Sequence, residues 1–230
     1  MRHFRQALAL GTIGTLLGFD PAAQAGITPI ARVSSQSSEW EYRGSTPGED
    51  GTHPSGQTWS DIGYWTSSTS DLLPYNVAGR GVSQFSTVDS GGASVRLRAS
   101  GDYYQDFFSG GFAKSESNFS YTFLIDCVGD YVLRGDWSAW GYTQVAMSLT
   151  GNGGSWTFGG DTGGLVLEDS GLFEEIVALG PGEYTLSARV TAGTMGGTEG
   201  RLSATFAAVP TPGILGVFAL VGSRFSSRSR

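Results

Sequence analysis

The chain has 230 residues, 36 of them glycine, and only 15% of its residues are charged. Setting aside the two ends, residues 1–25 and 209–230, leaves nine basic and twenty acidic residues, so the remaining body carries a net charge near −11. We therefore expect this body to bind neither nucleic acid nor anionic lipid, since both require a compensating basic patch.

The first 25 residues have the pattern of a signal peptide. Two arginines precede an apolar run over residues 7–19, which is too short to span a bilayer comfortably. The stretch ends with Ala23 and Ala25, the small-x-small pattern that signal peptidase accepts. The sequence therefore predicts a signal helix, export, and cleavage before Gly26, with a buried N-terminal helix as the alternative.

The body is dominated by an alternation of apolar and polar residues from about Glu39 to Ala208. In the segment GEYTLSARVTA every second residue is apolar, which is typical of a half-buried strand. Residues 45–57, STPGEDGTHPSGQ, have the composition of a loop. Many short strands separated by Gly, Ser and Asp turns predict one all-β domain over residues 26–208, an antiparallel β-sandwich with a jelly-roll-like topology.

The single cysteine, Cys127, cannot form a disulfide within the chain. Apolar residues alternate around it in FLIDCVG, so we expect a buried small thiol, with a mixed disulfide to a partner as the alternative.

Few residues are suited to catalysis. Once the signal peptide has left, His53 is the only histidine, and no G-x-S-x-G motif accompanies it. One histidine and one cysteine cannot form a zinc site of several His or Cys ligands. Glycoside hydrolysis needs only two carboxylates, but Glu174 and Glu175 are adjacent on a predicted strand and point to opposite faces. We therefore expect no enzymatic activity.

Two acid-rich turns offer oxygen ligands of the kind that calcium prefers. They are Asp126–Asp130 (DCVGD) and the GGDTGG stretch around Asp161. Ordinary turn chemistry explains both without a metal, because Asp and Gly suit the backbone angles of turns. No cofactor is expected, and calcium remains an alternative.

Aromatic residues cluster in GDWSAWGY, between two predicted strands. Trp137, Trp140 and Tyr142 are candidates to stack on sugar rings, with Asp136 bonding sugar hydroxyl groups. The alternative is that they cap the core, because large aromatic residues dominate burial in such folds. A second aromatic group consists of Trp59, Tyr64 and Trp65.

The tail, VPTPGILGVFALVGSRFSSRSR, contains two prolines, an apolar run over residues 213–222 and an arginine-containing end. Ten helical residues cover only about 15 Å of a roughly 30 Å bilayer core, so the tail predicts a temporary membrane stop, with a plain frayed C-terminus as the alternative. The whole resembles the PEP-CTERM sorting signal of exported bacterial proteins, whose Val-Pro-Glu-Pro pattern is matched here except that threonine replaces glutamate. The residues that carry this resemblance are Val209, Pro210, Thr211, Pro212, Arg224, Arg228 and Arg230.

The resemblance implies that an exosortase cuts near Pro210–Pro212 after transient membrane contact. It also implies a destination at the cell surface or in the exopolysaccharide matrix. We therefore expect an exported structural or adhesive protein that meets signal peptidase and exosortase on its way out. The alternatives are a carbohydrate-binding module for extracellular polysaccharide and, less favoured, a glycoside hydrolase.

Overall fold

The computed structural model describes residues 26–43, 51–52, 55–72, 78–103, 110–152, 154–158, 165–193 and 197–209. Within these ranges all regular structure is β-strand. The strands, in chain order, are β1 (Ile27–Arg43), β2 (Gly51–Thr52), β3 (Ser55–Trp59), β4 (Gly63–Leu72), β5 (Ala78–Asp89), β6 (Gly92–Tyr103), β7 (Gly110–Ile125), β8 (Gly129–Gly151), β9 (Gly154–Phe158), β10 (Leu165–Leu179), β11 (Gly182–Ala192) and β12 (Thr198–Ala208). Over the same residues, no helix has the length and apolar character needed to cross a membrane.

The strands form one continuous antiparallel sheet. Its order is β2-β1-β7-β11-β8-β12-β6-β5-β4, with β3 added to β1 and both β9 and β10 added to β8. Strand β8 holds the two halves together, because residues 143–151 pair with β11 and residues 131–140 pair with β12. The sheet curls until it is nearly closed into a barrel. The predicted all-β antiparallel fold is confirmed.

Aromatic rings join the two facing parts of the sheet in its interior. The ring of Phe123 on β7 lies 4.9 Å from Tyr121 and 4.9 Å from Phe206 of β12, measured between centroids. Tyr131 of β8 stacks on Phe206 at 5.5 Å. Burying one such side chain contributes about 1.5–3 kcal/mol. Around these rings, further buried positions on β6, β8, β11 and β12 are Val95, Leu97, Leu133, Val145, Met147, Leu149, Leu186, Val190, Leu202 and Ala204.

Buried polar side chains connect β1 and β7 with β5, strands that do not pair through their backbones in the described part of the chain. Arg32 of β1 donates to Ser86 Oγ of β5 at 2.5 Å, and Ser117 Oγ of β7 donates to Gln84 Oε1 of β5 at 3.2 Å. All four side chains are almost fully buried. We call this set, Arg32, Gln84, Ser86 and Ser117, the polar seam. It closes the fold by hydrogen bonding, because buried polar groups need partners.

The predicted loop over residues 45–57 is wrong in part. Gly51–Thr52 and Ser55–Gln57 form strands that pair with β1. Backbone hydrogen bonds to an edge strand require no apolar side chains, so composition alone did not reveal them. Strand β1 also begins at Ile27, well before the predicted start near Glu39. The alternation did not reveal this part of the strand, because its inward positions are largely polar.

Several predicted strands merge into longer ones. Strand β8 runs for 23 residues and contains the aromatic stretch that was predicted to lie between strands. Cys127 lies in the turn before β8 and is half-buried, without a disulfide, rather than buried as predicted. Strand β7 ends at Ile125, so the alternation that suggested burial does not continue as far as Cys127.

Several predicted residues lie outside the described ranges. These include the predicted signal helix with Ala23 and Ala25, and also His53 and Asp161. The predicted apolar tail helix and the remaining tail positions, Pro210, Thr211, Pro212, Arg224, Arg228 and Arg230, lie outside as well. Gly26 immediately precedes β1, and the backbone N–H of Val209 donates to the Asp130 carbonyl at 2.8 Å.

Candidate binding face

The candidate functional site is the outer face of strands β4, β5, β6, β12 and β8. Along each strand, outward side chains alternate with core residues; on β6, Arg96 and Arg98 alternate with the buried Val95 and Leu97. Four of the nine basic residues of the body lie on this face. We call it the arginine face, after Arg96, Arg98, Arg134 and Arg201.

The strand register places two of these arginines side by side. Arg98 on β6 lies directly opposite Arg201 on β12, an arrangement of like charges that destabilises a sheet. Glu199 offsets the repulsion, because it accepts from Arg98 Nε at 2.7 Å and from Arg201 Nε at 2.5 Å. Burial raises the pKa of Glu199, but the hydrogen bond from Arg201 and the charges of both arginines bring it below its ordinary value. Glu199 is therefore a carboxylate at neutral pH.

Among the described residues, Arg96 lies over an aromatic ring rather than beside an acid. Its guanidinium carbon lies 5.9 Å from the centre of the Phe85 ring, and Tyr64 meets Phe85 edge-on at 5.4 Å. Stacking of this kind favours and orients a guanidinium. Within the described part of the chain no carboxylate pairs with Arg96, so its charge is available to a ligand.

Hydroxyl groups surround the arginines. An open depression of about 430 Å³ is lined by Arg96, Arg98 and Arg201 with one carboxylate, Asp136. A neighbouring depression of about 490 Å³ is bounded by Trp140, whose side chain is 50% exposed. The hydroxyl-bearing side chains that line the two depressions are Thr66, Ser67, Ser68, Ser70, Ser83, Ser100, Thr198 and Ser203.

The structure separates the three aromatic residues that were predicted to bind sugar. Trp140 and Tyr142 are exposed, on either side of Gly141, whose φ of +74° bends the strand. Trp137 instead packs against the core. Residues 137 and 140 are three positions apart, and the two-residue period of a strand sends them to opposite faces.

The second aromatic group is divided in the same way. Tyr64 is 63% exposed and lies on the arginine face, whereas Trp65 is buried with Arg32 5.8 Å above its ring. Trp59 is exposed at the end of β3.

Carboxylates are present on the face but not enclosed. Asp136 and Glu174 line one open depression of about 410 Å³, on the adjacent strands β8 and β10. Glu174 and Glu175 are both exposed. Glycoside hydrolysis uses two acids placed on either side of a bond, and an open sheet surface provides no opposing wall.

Asp126, in the turn after β7, and Asp130, the second residue of β8, are both exposed. Among the residues described, no three His, Cys, Asp or Glu side chains converge to hold a metal ion.

The grouping of arginines was missed by sequence reasoning. The spacing of Arg96 and Arg98 placed them on one face of a strand, but Arg201 joins them only through the pairing of β6 with β12. No protein-family model matches this chain, and no curated protein matches it either. The chemistry of the arginine face and the patterns at the two ends of the chain are therefore the basis for a functional proposal.

Proposed function

We propose that this chain is an exported, non-enzymatic protein of the cell envelope or exopolysaccharide matrix with a structural or adhesive role. The observation that carries the proposal is the arginine face, an open sheet surface of guanidinium and hydroxyl groups. Such a surface suits contact along a polymer better than enclosure of a small substrate. We further propose that the curled sheet is a variant of a jelly-roll-like sandwich, since the Phe123 ring of β7 packs directly on the Phe206 ring of β12.

The route to the surface rests on the two ends of the chain. The signal-peptide pattern before Gly26 supports export, and the PEP-CTERM-like tail from Val209 supports sorting by an exosortase. Mass spectrometry of the secreted protein tests both. We expect an N-terminus at Gly26 and a C-terminus near Pro210–Pro212. A secreted product that retains Arg230 would contradict sorting through this tail.

A carbohydrate-binding module is the second candidate, and the exposure of Trp140 beside rows of hydroxyl groups favours it. An exposed indole face can stack on a sugar ring. Glycan-array binding of the full chain should fall when Trp140 is replaced by alanine. Trp59→Ala, which removes an exposed indole that does not line the face, is the matched control and should bind as the parent does. Equal binding by Trp140→Ala would argue against this candidate.

A glycoside hydrolase is the least supported candidate. Only the proximity of Asp136 and Glu174 in one open depression favours it. Incubation with extracellular polysaccharide should release no reducing ends. Release that disappears in Asp136→Asn would establish this activity instead.

A further inference from the structure

The chemistry of the arginine face narrows the class of polysaccharide, provided that the proposed matrix role holds. The body carries twenty acidic and nine basic residues, yet the depression at the centre of the face is lined by three arginines and one aspartate. Local charge therefore opposes the overall charge of the body. Salt screens charges over about 8 Å at physiological ionic strength, so a ligand on this face meets mainly the local positive charge and not the overall negative charge of the body.

The arginines are arranged at a cost to the fold. Arg98 and Arg201 lie opposite each other, and among the described residues one carboxylate, Glu199, pairs with both. Arg96 stands two residues along the same strand from Arg98, roughly 7 Å away, without an acidic partner in the described chain. Like charges placed so close together destabilise a sheet unless an anion neutralises them. Glu199 neutralises one of the three charges of Arg96, Arg98 and Arg201, and Asp136 in the same depression offsets a second, so one positive charge remains.

The groups beside the arginines indicate which class of anion this face would bind. Ser83 lies opposite Arg98, and Ser203 lies opposite Arg96, so each of these two arginines has a hydroxyl group on a neighbouring strand. A polyuronate has the complementary pattern, with one carboxylate on each ring and hydroxyl groups between them. Guanidinium binds carboxylate with two parallel hydrogen bonds. Nucleic acid, with closely spaced phosphates and few hydroxyl groups, matches the pattern less well.

We propose that the arginine face binds an acidic, uronate-containing polysaccharide, with Arg96, Arg98 and Arg201 contacting its carboxylates. Glu199 then competes with the ligand for Arg98 and Arg201. Trp140, at the border of the neighbouring depression, provides a stacking surface for a ring further along the same polymer.

The test is calorimetric titration of the full chain with polygalacturonate, with dextran as the neutral polymer and a single-stranded oligodeoxynucleotide as the alternative polyanion. We expect polygalacturonate to bind and dextran not to bind at comparable concentration. Arg96→Gln should weaken polygalacturonate binding about tenfold or more, as expected for loss of a charge-assisted contact. The matched control is Arg189→Gln, which removes an exposed arginine paired with Glu116 on β7 and should leave the affinity unchanged.

Glu199→Gln makes the test independent of any damage to folding. Removing this carboxylate frees Arg98 and Arg201, so the affinity for polygalacturonate should rise several-fold. An unchanged affinity in both Arg96→Gln and Glu199→Gln would overturn the proposal, as would preferential binding of the oligonucleotide or no polymer binding at all. Binding of dextran that depends on Trp140 but not on Arg96 would also overturn it, while leaving the proposed matrix role intact.

Discussion

Arg32 shows how one buried charge fixes the geometry of a chain segment. Its guanidinium donates to the carbonyls of Asp61 and Gly63 at 3.2 and 2.8 Å, and to Ser34 and Ser86 hydroxyls at 3.2 and 2.5 Å. Burial lowers the pKa of Arg32, and the charge of Asp61 partly offsets this. The side chain stays charged, because arginine keeps its proton in proteins. The turn between β3 and β4 is thereby attached to the polar seam.

We expect Arg32→Met to destabilise the protein by about 3 kcal/mol or more, because two backbone carbonyls and two buried hydroxyls lose their donor. Arg32→Lys should cost less, since one ammonium group keeps the charge and satisfies some of these acceptors. Urea denaturation measures both. Arg189→Met, at an exposed position, should change stability by no more than about 0.5 kcal/mol. Parental stability in Arg32→Met would show that the polar seam does not hold the fold together.

Glu199 predicts a pH dependence of stability. Its pKa is lowered in the folded protein, so its contribution is fully present above the unfolded value near 4.5 and is lost as the pH falls through the folded value. The midpoint of thermal unfolding should therefore decrease below pH 4.5, in part because Arg98 and Arg201 then repel each other. In Glu199→Gln this part of the decrease should be absent. Melting temperatures measured at steps of about one pH unit from pH 6 to pH 3 test this. If the parent and Glu199→Gln gave parallel curves, Glu199 would not be the source of the pH dependence.

Strand β8 belongs to both halves of the sheet, and Gly141 lies where its pairing changes from β12 to β11. At a φ of +74° a β-carbon would sit 2.6 Å from Thr198 Cγ2 and 2.9 Å from the Gly197 carbonyl. Gly141→Ala should therefore destabilise by about 2 kcal/mol, from backbone strain and from the clash. Gly193→Ala is the control, because its nearest heavy atom would lie at an ordinary 3.4 Å. Equal melting temperatures of the two variants would exclude a special role for Gly141.

The two-residue period of GEYTLSARVTA predicted which residues of β11 face inward, and Tyr184, Leu186 and Val190 are buried. The same period failed in β1, where Arg32, Ser34 and Gln36 occupy inward positions that the pattern assigns to apolar residues. The two-residue period also could not predict that Arg201 lies opposite Arg98, since the pairing of strands depends on the whole fold. By contrast, the odd spacing of Trp137 and Trp140 already places the two side chains on opposite faces of a strand. In the structure Trp140 is exposed and Trp137 packs against the core.

Charge is unevenly distributed over the molecule, which a total near −11 conceals. The outer face of β7 and β11 places Lys114 and Arg189 around Glu116, an arrangement similar to that of Arg98 and Arg201 around Glu199. The arginine face adds two further cations without an acidic partner in the described chain, Arg96 and Arg134. Arg189 is therefore a suitable control for ligand binding, because it is an exposed, acid-paired arginine on the other face.

The strand order predicts how the fold opens. Strand β11 is paired on both sides, with β7 and β8, whereas β3, β9 and β10 each have one partner in the described chain. Hydrogen exchange should therefore be slowest for amides of β11, such as Leu186 and Val190, at rates set by global unfolding, and fastest for β3. Arg32→Met should accelerate exchange further in β3 and β4 while leaving β11 in the same rank, because the side chain it removes attaches their connecting turn. Protection of Thr58 equal to that of Leu186 would mean that the barrel opens only as one unit.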